Sequence, residues 1–160
     1  MRTGYQKIDV MTVMSAGGPK TPREGPEAII GEARSKGEWA AAYLMAFYGD
    51  LEFMPAVSRA VGHLRKGKST LLEAAVSGEV AGVLAMHRTP GLAGVYCVGT
   101  VPEFRNRGIA AALLARAGRI ASAEGRTLFL QTLETDGTDG FYVRQGFTPL
   151  YRKLLMQKKS

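Results

Sequence analysis

Between Ala93 and Glu124 an apolar, strand-like run passes through Pro102-Glu103-Phe104-Arg105-Asn106-Arg107-Gly108 into a helical stripe, and no other stretch constrains the fold as strongly. A strand that runs into a helix over a glycine leaves the first-turn N–H groups, and the positive end of the helix dipole, facing whatever lies beyond the strand. Gly108 lets the backbone approach a ligand closely, while Arg105 and Arg107 add positive charge beside it. The segment reads as a phosphate-holding loop at the edge of a sheet on which a helix packs.

Around this junction the hydrophobic period changes along the chain. Residues 1–26 hold one short mixed run, Lys7 to Met14, followed by Gly17, Gly18, Pro19, Pro22, Gly25 and Pro26, which break regular structure. They read as an N-terminal arm or linker ahead of a single domain over 27–160. From Glu27 to Arg65 the pattern is helical, with Trp39, Tyr43 and Phe47 in one stripe and Met54, Val57, Val61 and Leu64 in another, so two or three helices are expected. Strands are expected at Leu71–Val76 and Val80–His87, joined by a turn at Ser77-Gly78-Glu79, and at Ala93–Val101. A helix from Asn106 to Glu124 presents Ile109, Leu113, Ala117 and Ile120 on one face, with Gly125 to end it. A strand at Thr127–Leu133, a short helix at Thr138–Gln145 closed by Gly146 and a strand from Phe147 complete an α+β order.

A chain of 160 residues, 46% hydrophobic and 22% charged, has the size and make-up of one globular domain. No apolar run approaches the roughly 20 residues of a membrane span, and no secretory leader pattern is visible. With a single cysteine, Cys97, the expected location is a reducing cytoplasm. The net charge of +7 suits an anionic ligand. The basic residues stand in separate groups, at Arg65, Lys66 and Lys68, at Arg105 and Arg107, and at Arg152, Lys153, Lys158 and Lys159. No long basic run with interleaved aromatics appears, which argues against a nucleic-acid platform.

Arg105, Gly108 and Ala110 fill the pattern Gln or Arg, two residues, Gly, one residue, Gly or Ala; Phe141-Tyr142-Val143-Arg144-Gln145-Gly146-Phe147 fits an aromatic-Tyr, three residues, Gly-Phe signature. Two such motifs, in this order and on these elements, resemble the GNAT superfamily of N-acetyltransferases over roughly Ser69 to Leu155. The resemblance implies a mixed, mostly antiparallel central sheet flanked by helices, with two central strands splayed to hold acetyl-CoA. It implies acetyl-CoA as co-substrate, a primary amine of a small molecule or protein as acceptor, and no metal. Gly99, Thr100 and Val101 would offer backbone groups to the pantetheine arm and the thioester. Arg105, Asn106, Arg107, Gly108, Ile109, Ala110 and Ala111 would hold the pyrophosphate. Thr135 stands where many members place a cofactor-binding Asn, and Thr138 where a small Ala is usual. The acceptor pocket would come from about Trp39 to Tyr48 and Arg88 to Gly94, and the final strand would contribute to a homodimer.

Acyl transfer needs an uncharged amine, a stabilised oxyanion and a proton for the departing thiolate. Tyr142 is the general-acid candidate, because a phenol is protonated at neutral pH. Glu134, at a strand end, is the candidate base, directly or through water, with His87 and His63 as lesser choices. Cys97 reads as a small buried hydrophobe, since no acid or His stands in a readable arrangement with it. Two rivals remain. Gly62-His63-Leu64-Arg65-Lys66-Gly67-Lys68-Ser69 fits Walker A spacing, but that loop needs a strand entering and a helix leaving, and here the order is reversed. Alternatively, the chain is an acyl-CoA-binding module without catalysis.

Overall fold

Ser77 and Gly78, with φ of 51° and 88°, form a tight two-residue turn of the kind that suits the twist of a hairpin. They join two strands of a seven-stranded sheet in a computed structural model that describes residues 4–17, 27–64 and 67–159. The elements run β1 (Tyr5–Ala16), β2 (Ala28–Glu32), α1 (Lys36–Phe47), α2 (Met54–Gly62), β3 (Ser69–Val76), β4 (Glu79–Thr89), β5 (Leu92–Thr100), α3 (Ile109–Ala123), β6 (Thr127–Leu133), α4 (Asp139–Arg144) and β7 (Thr148–Lys158). The sheet order is β2-β3-β4-β5-β6-β1-β7. Every pairing is antiparallel except β5 with β6. The mixed, mostly antiparallel sheet flanked by helices is the expected fold class.

Side-chain alternation along the strands sends neighbours to opposite faces and builds two cores. On one face Leu72, Leu84 and Met86 pack with Met14, Ile109 and Leu113, so α3 covers this side. Phe141, Tyr142 and Phe147 join the same cluster, which places α4 there too. On the other face Leu71, Val83 and Ala85 meet Trp39, Ala42 and Val61 of α1 and α2. Ser35 caps α1, its side chain accepting from the Glu38 N–H at 3.3 Å, and Ser35 and Glu38 stand at capping-box spacing. Buried Glu73 is held by the Arg34 guanidinium at 2.6 Å, fixing the approach to α1 against β3.

Three expectations are corrected. Residues 28–32 are strand, not helix: Ile29 and Ile30 carry the β-branched side chains that strands favour, and the segment pairs with Leu72–Val76 as an edge. Helix α3 begins at Ile109, three positions later than expected, because Asn106 and Gly108 both take left-handed φ, 63° and 75°, which a helix cannot include. The Lys7–Met14 run, read as part of an arm or linker, belongs to a twelve-residue strand inside the sheet between β6 and β7, with Met14 fully buried. The glycines and prolines from Gly18 to Pro26, and Arg65 and Lys66, fall outside the described residues.

Candidate active site

The centre of the sheet comes apart. Leu92, Ala93 and Gly94 pair in parallel with Thr127, Leu128 and Phe129, and the β5–β6 register ends there. From Val95 to Thr100 β5 keeps β4 on one edge only, so its peptide groups facing β6 have no strand to bind. Gly99 and Thr100 therefore lie on the open edge, with Val101 just beyond, where its N–H donates to the Ala81 carbonyl at 2.9 Å.

Inside this open half the β4–β5 register slips. Ala85 faces Tyr96 and Val83 faces Gly99, so Cys97 and Val98 stand opposite Leu84 alone, and Cys97 takes φ of 56°. Such a bulge re-aims side chains. Tyr96 and Cys97, consecutive in sequence, both line a cavity on the α1–α2 side, while Val98 packs on the α3 side. Burial pushes the Cys97 thiol up from its ordinary pKa, which keeps it protonated. Gly99 has its own reason: a Cβ there would lie 2.6 Å from Phe47 Cε2 and 3.0 Å from the Ala46 Cβ, so only glycine lets the end of α1 lie on β5.

Past β5, a 3-10 turn at Pro102–Phe104 leads into the basic loop. Gly108 caps α3 without a side chain, and the first helical bond runs from the Ala112 N–H to the Gly108 carbonyl at 3.0 Å. The N–H groups of Ile109, Ala110 and Ala111 precede that bond and aim out of the helix end, a ready anion site. Arg105 also binds within the protein, where its guanidinium donates to the Thr100 carbonyl at 3.3 Å and to the Ala46 carbonyl at 3.0 Å, strapping α1 to the end of β5. Arg107 donates to the Glu103 carbonyl and lies over the Phe104 ring, 5.5 Å from its centre. Both arginines are exposed.

Tyr142 is half-buried, with edge-on contacts to Phe141 and Phe147. Burial, and then the negative charge of Asp136, raise its phenol above the ordinary value. Its helix is anchored by Asp139, whose carboxylate accepts from the buried hydroxyls of Thr132 on β6 and Thr12 on β1, the latter at 3.2 Å. That anchor was not visible in the sequence, since an Asp opening a short helix signals a cap before it signals a cross-strand link.

The other expected residues lie toward β1. Glu134 is exposed, 3.9 Å from Lys7 Nζ, and Thr135 donates to Asp9 at 2.6 Å, a bond that is the leading cause of the lowered Asp9 pKa. His63 directly follows α2, and His87 lines the α1–α2 cavity, its Nδ1 2.9 Å from the Ser69 hydroxyl. Of the loop expected to build the acceptor pocket, Arg88 instead turns to Glu124, at 2.8 Å, and to Thr70. Sequence reasoning missed Tyr96 and Cys97 as cavity residues, because a bulge without glycine leaves no local signal. At Gly62–Ser69 helix α2 enters and strand β3 leaves, the reverse of a nucleotide-binding P-loop. Among the described residues no group of three or more His, Cys, Asp or Glu is placed to hold a metal ion, and no helix is long and apolar enough to cross a membrane.

Comparison with known proteins agrees with this geometry. Residues 67–149 match the family described as Acetyltransferase (GNAT) domain. No curated protein matches the sequence. Among solved structures, a GCN5-related N-acetyltransferase from Sphaerobacter thermophilus superposes with a TM-score of 0.77 at 23% identity, over 96% of this chain and 52% of that one. A putative GNAT-family acetyltransferase from Novosphingobium aromaticivorans gives 0.70 at 23%, over 98% and 69%. A conserved protein of unknown function from Staphylococcus epidermidis gives 0.76 at 19%, over 98% and 64%. The chain thus spans 52% to 69% of the length of these structures.

Proposed function

The chain belongs to the GNAT acetyltransferase family, and from that premise we propose that it moves an acetyl group from acetyl-CoA directly to a primary amine. The observation that carries the reading is the open edge of β5 past Gly94, lying in line with the uncapped start of α3. An extended thioester arm would add to β5 as a strand does, and its pyrophosphate would meet the N–H groups of Ile109 to Ala111, with Asn106, Arg105 and Arg107 beside them.

In the transfer, the amine lone pair attacks the thioester carbon and the C–N bond forms. Backbone N–H groups on the open edge of β5 would stabilise the oxyanion. As the C–S bond breaks, the Tyr142 phenol gives its proton to the departing thiolate, and its raised pKa keeps that proton in place at neutral pH. The proton leaving the amine goes to a base, either Glu134 or His87. Glu134→Gln and His87→Gln separate the two, because only loss of the true base lowers kcat while acetyl-CoA affinity is kept. A cytoplasmic setting suits the free Cys97. A homodimer would form along β7, the outer strand, where Leu150, Leu154 and Met156 stand exposed.

Calorimetric titration tests the reading, with acetyl-CoA and with ATP plus magnesium, on wild type and on Gly108→Asp. Acetyl-CoA binding that the variant abolishes supports it; binding of ATP alone overturns it. The rival of a non-catalytic acyl-CoA-binding module is separated by turnover, since it leaves Tyr142→Phe without effect.

A further inference from the structure

The cavity on the α1–α2 side reaches about 450 Å³, enough for a small organic molecule. Its walls are Trp39 and Tyr43 of α1, Val57 and Leu64 at α2, and Leu71 and Ala85 of the sheet, with Tyr96 and Cys97 of the bulge at the end nearest the β5–β6 gap. Trp39 and Tyr43 stack with ring centres 5.8 Å apart and planes 4° from parallel. No Asp, Glu, Lys or Arg lines it among the described residues, although the chain carries 35 such residues in 21 Lys plus Arg and 14 Asp plus Glu. Two of its ionisable members are held protonated: burial, and then a hydrogen bond with Tyr48, push the Tyr43 phenol up to about 12, and burial raises the Cys97 thiol.

We propose that this cavity selects the acceptor, and that the acceptor is a monoamine on an aromatic or alkyl body with no second charge. The inference rests on the transferase reading above and names the substrate class of that site. A polyamine or amino sugar would bring further ammonium groups, and an amino acid a carboxylate, against a wall where no described residue carries the opposite charge, while beyond Ser69 and Leu71 Arg88 and Glu124 are paired with each other; each added charge goes uncompensated. An aromatic body instead lies against Tyr43 and Tyr96, with Trp39 buried behind them. The same apolar surroundings disfavour the ammonium form of the amine, so the cavity itself supplies part of the neutral nucleophile that the transfer needs.

Trp39 is the only tryptophan of the chain and stands in the cavity wall, so its fluorescence reports occupancy without any reference to acetyl-CoA. Phenethylamine is expected to change that fluorescence saturably, and spermidine, kanamycin and lysine are not. Phenethylamine is also expected to release CoA thiol from acetyl-CoA in turnover. Ala85→Leu, which narrows the cavity, should raise the phenethylamine KM at least about tenfold and the ethylamine KM by less. Tyr96→Ala serves as the second variant, at a side chain 44% exposed and so tolerant of truncation, with the same direction expected for phenethylamine. Saturation by spermidine but not phenethylamine overturns the inference, as does phenethylamine binding without acetylation in a protein that binds acetyl-CoA, or a KM untouched by both variants. Failure of acetyl-CoA to bind in the calorimeter overturns the transferase reading instead, while the fluorescence titration still decides whether the cavity takes a monoamine.

Discussion

Strand β5 lives in two different surroundings. Over Leu92–Gly94 it is locked on both edges, by β4 and by β6, in ordinary sheet geometry. Over the remainder it is bound on one edge, carries a bulge with a non-glycine residue at positive φ, and needs a glycine under an aromatic ring. The locked half gains from each peptide group it pairs, whereas the open half leaves groups unpaired that a folded protein normally satisfies. Such costs persist where a ligand recovers them. The comparison teaches where binding and stability separate: three paired residues hold the sheet together, and the next six are free to hold something else.

The largest test of that division is Gly108→Asp, which sets a carboxylate and a Cβ at a left-handed position against the proposed phosphate site. Calorimetry should show acetyl-CoA affinity falling by more than about 1,000-fold, a loss near 4 kcal/mol. Next is Tyr142→Phe, expected to lower kcat about 100-fold with acetyl-CoA affinity kept. In wild type the alkaline limb of kcat should lie above about pH 10, the ordinary phenol value, because the acid is active while protonated and its pKa is raised. A limb near neutral pH would break the assignment. Gly99→Ala probes the close approach of α1: the methyl must displace the Phe47 ring, so urea unfolding should show a loss of about 1–3 kcal/mol. Amide exchange sharpens the comparison directly, since N–H groups of 92–94 should be protected throughout and those on the open edge of 95–100 only with acetyl-CoA present. The smallest effect expected is for Thr135→Ala, whose bond to Asp9 is exposed to solvent, read as a barely detectable shift in the urea midpoint.

Legibility in the sequence divides along a similar line. The start of α3 was readable because a left-handed helix cap favours glycine, which leaves a letter in the sequence. The β3–β4 hairpin was readable through Gly78. Strand β2 was lost because its five residues follow directly on a run of glycines and prolines and precede a strong helical stripe. The interior position of β1 was not readable, since its partners are far away in sequence and nothing near Lys7–Met14 names them. Arg105 illustrates a subtler loss. Its charge pointed to phosphate, while its hydrogen bonds to Thr100 and Ala46 depend on α1 being brought beside the loop by the tertiary fold. The cavity residues are mostly ordinary apolar and aromatic types, and only the bulge at Cys97 turns two neighbours to one side.

The place of β1 between β6 and β7 also sets an order of events in time. Met11 pairs with Leu133 and Tyr5 with Lys158, so this strand leaves the ribosome long before either partner. Until they arrive, Val10, Val13 and Met14 are apolar side chains with no sheet to shelter them. Contacts so distant along the chain make closure slow. The half of the sheet formed by β2 to β5 can assemble while β1 waits, and a nascent chain of this protein is most open to aggregation during that interval.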